Sequence, residues 1–166
     1  LLLVLGAGVG GGRLVQRWRG RAAGAGSLSF SPATATLPGD KSLDLVVNAG
    51  SEGISGVDVE FTFDRTKVQL AGEVQVTGQL TQVLVQTAAA EANATGRVRL
   101  ALGLPLTQPP PVAPTGNVVL AQVVFHAVTT ASTTTMVDWD LARAEVVNGA
   151  GTILTVSGTG ATLTLN

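Results

Sequence analysis

Val57-Asp58-Val59-Glu60-Phe61-Thr62-Phe63-Asp64 alternates apolar and polar residues over its whole length. Successive side chains of a β-strand point to opposite faces, so Val57, Val59, Phe61 and Phe63 share one face and Asp58, Glu60 and Thr62 the other. Such a segment is a strand with one face in a core and the other in water. Outward from it, short alternating runs bounded by Gly, Pro, Asn and Asp recur. They predict strands near Ser27–Ser31, Ser42–Asn48, Lys67–Leu70, Val74–Thr77, Thr81–Thr87 and Gly96–Leu104. Further strands are predicted near Asn117–Ala127, Thr133–Trp139, Arg143–Val147, Thr152–Val156 and Ala161–Leu165. Val119, Ala121, Val123, Phe125 and Ala127 are expected to face inward together, as are Val98, Leu100 and Leu102, opposite Arg97, Arg99 and Ala101. Only Ala88–Asn93 offers a helical turn. The fold expected is all-β, a two-sheet jelly-roll or immunoglobulin-like sandwich of about nine strands.

Composition agrees. Of 166 residues only 13% are charged, against about 25% in an average soluble domain. Cysteine is absent, which excludes disulfides, thiolate metal sites and cysteine nucleophiles, and the single histidine excludes a multi-histidine cage. No cofactor or metal is expected. The long excursion Pro105–Gly116 holds five prolines and reads as a stiff surface connector.

Charge divides the chain into two segments, 1–26 and 27–166. The first holds Arg13, Arg17, Arg19 and Arg21 and no acid; the second holds six basic and eleven acidic residues. Nucleic-acid binding is therefore not expected of the body, whose net charge is negative. Residues 1–12 are apolar or glycine throughout, followed by the arginines and Trp18. This reads as the tail of a longer apolar segment, either an uncleaved membrane anchor or a secretory signal with small residues at Ala23-Gly24-Ala25. Basic residues directly after an apolar helix favour a cytoplasmic flank, which opposes the anchor reading. Gly6-Ala7-Gly8-Val9-Gly10-Gly11 fits the dinucleotide-binding pattern G-x-G-x-x-G. That motif needs a following helix and an acid about 20 residues on, and neither is found.

The body resembles the cohesin domain. The resemblance is carried by Leu37-Pro38-Gly39-Asp40 before an alternating strand, by Gly53 to Asp64, and by Lys67-Val68-Gln69-Leu70. Thr95 to Leu100, Gly116 to Ala127 and Ala161 to Leu165 add three further blocks. Arg65 departs from the proline or small residue usual there, and the proline-rich excursion is idiosyncratic. The resemblance implies a nine-stranded jelly roll that binds rather than catalyses, with one flat sheet face docking a calcium-loaded dockerin module. Asp58 matches by position the acidic residue with which cohesins hydrogen-bond that partner. Glu60, Thr62, Arg97 and Arg99 flank it where the sheet order is shared.

Other sites weigh less. His126 should point away from the core and has no nucleophile beside it. Asp138 and Asp140 bracket Trp139 and are open to a glycosidase or calcium reading, or to none, as ordinary surface acids. Asp40, Asp44, Glu52 and Asp64 lack the spacing of a loop calcium site. Asn93-Ala94-Thr95 fits a glycosylation sequon. No row of exposed aromatics is expected, since Phe61, Phe63, Phe125 and Phe30 read as core.

The reading is a non-catalytic, membrane-anchored or secreted cell-surface module, placed outside the cytoplasm. It recognises a protein partner of dockerin type in polysaccharide degradation or surface assembly. A carbohydrate-binding module that holds polysaccharide directly, and a structural envelope protein, stay open beside it.

Overall fold

The computed structural model describes residues 24–166, so the expected anchor or signal segment lies outside the described residues up to residue 23. The chain then runs β1 (Ala25–Ser31), β2 (Thr34–Leu37), β3 (Lys41–Asn48), β4 (Gly56–Phe63), β5 (Val68–Leu70), β6 (Gln75–Val76) and β7 (Gln82–Gln86). After helix α1 (Ala89–Thr95) come β8 (Arg97–Gly103), β9 (Asn117–Ala127), β10 (Thr133–Trp139), a 3₁₀ turn (Leu141–Arg143), β11 (Glu145–Val147), β12 (Ile153–Thr159) and β13 (Ala161–Leu165).

The strands form a two-layer β-sandwich of jelly-roll kind. In the back layer β12, β1, β3 and β9 lie side by side, with β5 and β6 both pairing with β9. In the front layer β2, β13, β10, β4, β8 and β7 follow one another, and β11 continues beside β4 where β10 leaves it. β12 turns the corner: Ile153 and Leu154 pair with β11 of the front layer, and Thr155–Thr159 pair with β1 of the back. More strands are present than expected because short segments share a long neighbour end to end. β10 takes Phe61–Phe63 of β4 and β11 takes Gly56–Asp58.

Inward residues of the two layers fill the space between them. Val57, Val59, Phe61 and Phe63 of β4 are all buried, as are Val98, Leu100 and Leu102 of β8. From the back come Leu28, Phe30, Leu43, Leu45, Val47, Val123 and Phe125. Each such Val, Leu or Phe contributes about 1.5–3 kcal/mol over leaving it exposed. Aromatic rings tie the layers together. Phe30 stacks on Trp139 at 4.4 Å while Phe61 meets both edge-on at 5.5 and 5.9 Å. A second pair, Phe63 and Phe125, is edge-on at 5.3 Å.

Two expectations need correction. Val119 is exposed, and Val118 and Leu120 face the core in its place. The pairing of β9 with β3 jumps from Val119 to Ala121 opposite Val46 and Leu45, and this bulge resets the alternation before Ala121, Val123 and Phe125. Ala101, expected on the wet face with Arg97 and Arg99, is buried. One strand was not expected at all: β2, between Pro32 and Pro38, pairs only with β13 at the front edge. Proline is tolerated there because an edge strand has N–H groups with no ladder partner.

The bulge depends on a glycine. Thr77 and Gly78 both donate their backbone N–H to the Leu120 carbonyl, at 3.3 and 3.4 Å. A Cβ on Gly78 would lie 1.8 Å from the Val119 carbonyl oxygen, whereas one on Gly72 would meet nothing within 4 Å. Gly78→Ala is therefore expected to cost about 1–3 kcal/mol in urea unfolding, the usual penalty of overpacking. Gly72→Ala is expected to be neutral or slightly stabilising; equal behaviour of the two would refute this account of the bulge.

Candidate functional site

The outer surface of β4 carries Asp58, Glu60 and Thr62, and β8 beside it carries Arg97 and Arg99. Their register places Glu60 opposite Arg99 and Thr62 opposite Arg97. The ion pairs run diagonally to that register. Arg99 grips Asp58 with two bonds, Nε to Oδ1 at 2.9 Å and Nη2 to Oδ2 at 2.6 Å. Arg97 donates Nη1 to Glu60 Oε1 at 2.5 Å. Such fork-to-carboxylate pairs fix orientation as well as distance. The Asp58 carboxylate in turn holds the Arg99 guanidinium above its ordinary range, chiefly through this hydrogen bond.

A residue that sequence reasoning missed completes the network. Between β10 and β11 the chain leaves the sheet through the 3₁₀ turn, anchored by Asp140 N–H on the Glu60 carbonyl at 2.8 Å. This swings Arg143 over the face, where its Nη1 reaches Glu60 Oε2 at 3.4 Å. Asp140 stands 3.7 Å from Arg97 and 3.8 Å from Arg143, bridging the two. No periodic signal points to Arg143, because its position depends on a detour between strands rather than on alternation. Sequence reasoning also left out the apolar edge of this face: Val85 of β7, opposite Ala101, and its neighbour Leu84 are exposed. Thr62 makes no side-chain bond to the network among the described residues.

Depth separates the two signs of charge. The Glu60 side chain is 7% exposed beneath Arg97 at 54% and Arg143 at 66%. Asp58 is 33% exposed beneath Arg99 at 51%. The face is open and shallow, with two depressions, one lined by Glu60, Val85, Thr87, Arg97, Arg99 and Arg143 among others and a second by Asp58, Glu60, Arg99, Arg143 and Glu145. Carboxylates held by guanidinium donors fix the orientation of those side chains. The arrangement suits surface recognition.

Of the other candidates, Asp140 joins the network between Arg97 and Arg143, and Asp138 stands opposite Thr62 on β10 of the same layer. His126 sits apart, on β9 of the back layer opposite Gln69. Asp138 is exposed, Trp139 between the two acids is buried, and its Nε1 has no hydrogen-bond partner. Asn93 is committed inside the protein. Its carboxamide accepts from the Leu70 N–H at 2.7 Å and donates to the Leu70 carbonyl at 3.1 Å, tying α1 to β5. Asp44 accepts from Gln122 and Glu52 from Asn148, each at 3.0 Å. Thr66 donates its hydroxyl and its N–H to Asp64 and holds that carboxyl below its ordinary value.

The difference in depth makes the network asymmetric energetically. Removing both Arg97 and Arg143 leaves a buried carboxylate without donors, whereas removing Arg99 leaves Asp58 in reach of water. An Arg97→Met, Arg143→Met variant is expected to lose about 1–3 kcal/mol in denaturant unfolding, the penalty of an unsatisfied buried acceptor. Arg99→Met should change stability little. A larger loss from Arg99→Met than from the double variant would contradict this ranking.

No family model matches the sequence, and no curated protein matches it. Solved structures do. The seventh ScaB type I cohesin of Pseudobacteroides cellulosolvens superposes with a TM-score of 0.68 at 15% identity, covering 87% of this chain and 94% of that one. A type I cohesin–dockerin complex of Clostridium thermocellum contains a chain that matches with a TM-score of 0.69 at 7% identity, over 88% of this chain and 96% of that one. A non-cellulosomal cohesin of the hyperthermophilic archaeon Archaeoglobus fulgidus gives 0.62 at 12% identity, over 86% and 91%. From Ala25 to Leu165, this chain has the fold of the cohesin domains.

Proposed function

We propose that the chain is a non-catalytic protein-binding module of cohesin type, and that a dockerin-type partner docks on the outer surface of β4 and β8. One observation carries the reading: the charged network is assembled on a flat, rigid sheet face rather than in a cleft. Cross-strand pairing fixes Asp58, Glu60, Arg97 and Arg99, and the 3₁₀ turn fixes Arg143, so little side-chain freedom is left to lose on binding. The likeness to cohesins solved with dockerins supports a protein as the occupant of this face. Calcium enters as part of the partner, since the face itself presents guanidinium groups.

Direct capture of polysaccharide is the weaker reading. Stacking on sugar rings wants exposed aromatic side chains, and Phe30, Phe61, Phe63, Phe125 and Trp139 are all buried. The cell-surface setting is part of the proposal as well, supported by the apolar and arginine-rich character of residues 1–21.

The test is affinity capture on the immobilised chain, with calcium or with a chelator, followed by identification of what is retained. A protein retained in calcium, released by chelation, and lost on Arg99→Ala with an unchanged thermal melt is the expected result. Retention on insoluble glycan, or capture indifferent to that variant, would sink the proposal.

A further inference from the structure

We infer that the partner meets this face with carboxylates, on an amphipathic segment that carries acidic side chains beside apolar ones. The inference rests on the protein-binding reading above and adds the partner's chemistry.

The layering by depth decides the sign. A partner descending on the sheet encounters the guanidinium groups of Arg97, Arg99 and Arg143 before the carboxylates of Glu60 and Asp58, which lie beneath them. The acids are also engaged. Each oxygen of Asp58 accepts one bond from Arg99, and the two oxygens of Glu60 accept one each from Arg97 and Arg143. The arginines have donors left over. A guanidinium has five N–H donors. Nη1 of Arg99 and Nη2 of Arg97 and of Arg143 have no hydrogen-bond partner among the described residues. Bare donors in a fixed fork select planar acceptors, and a carboxylate gives the strongest such bond. The face thus offers donors where Asp58 alone would suggest an acceptor.

The apolar half of the segment follows from β7. Val85 lines the same depression as Arg97 and Arg99, and Leu84 next to it on the edge strand is exposed. Nucleic acid would also bring acceptors. However, Glu91 and Glu145 border the arginines, and residues 27–166 carry six basic against eleven acidic side chains. A compact acidic cluster fits between those borders, whereas an extended polyanion is repelled by them.

Calorimetric titration of the full chain with two helical peptides of about 18 residues, sharing one leucine stripe, tests this. One carries Glu and the other Lys at the polar positions; a single-stranded DNA oligomer is the third probe. The Glu peptide should bind, and the Lys peptide and DNA at least about tenfold more weakly. Arg97→Gln, Arg99→Gln, Arg143→Gln should weaken the Glu peptide by about tenfold or more, and the matching Lys variants, which keep the charge and lose the fork, by less. Glu145→Gln, which removes an exposed carboxylate bordering the arginines, should not weaken it. Binding of the Lys peptide or DNA as tight as the Glu peptide, weakening by Glu145→Gln, or no binding by any probe would overturn the inference. So would heats of dilution showing that the chain dimerises through this face. Calcium-dependent capture that persists while the acidic preference fails would refute this inference and leave the protein-binding reading standing. The reverse result would do the opposite.

Discussion

Everything on the front face depends on β4 satisfying two environments at once. Its inward residues Val57, Val59, Phe61 and Phe63 anchor the core, and Phe61 meets Phe30 and Trp139 there. Its outward residues hold the carboxylate half of the ion network. Because side chains alternate along a strand, neither set can shift without the other; a slip of one residue would place Asp58 and Glu60 in the core. The rigidity of the face is therefore inherited from the packing below it.

Burial then shapes the electrostatics. Glu60 is covered by two guanidinium groups that remain largely in water. A buried charge is tolerable only when paired, so the arginines are needed to hold the carboxylate, and the carboxylate in turn fixes where the arginines stand. The same contacts that satisfy Glu60 set the spacing of the donors left free above it. Stability and recognition share one set of bonds, and side chains already ordered in the free protein lose little entropy when covered.

Much of this was legible in the residues. Alternation placed Val57 to Phe63 and Val98 to Leu102 inward and Arg97 and Arg99 outward, as the structure has them. It failed at β9, where an inserted residue between Val119 and Ala121 reverses the phase and no residue type announces the change. It also missed β2 and Arg143. A four-residue strand between prolines reads as loop until its neighbour β13 is known, and a side chain carried by a 3₁₀ turn has no period to read.

The sequence by itself determined an all-β sandwich and which way the residues of β4 and β8 point, because strand geometry ties residue number to face. Only the tertiary structure decided how those residues pair. Arg99 lies opposite Glu60 in register yet bonds to Asp58, and Arg97 opposite Thr62 yet bonds to Glu60. Long side chains choose diagonal partners according to depth, twist and neighbours from distant segments such as Asp140 and Arg143, and none of these is encoded in the order of residues along one strand.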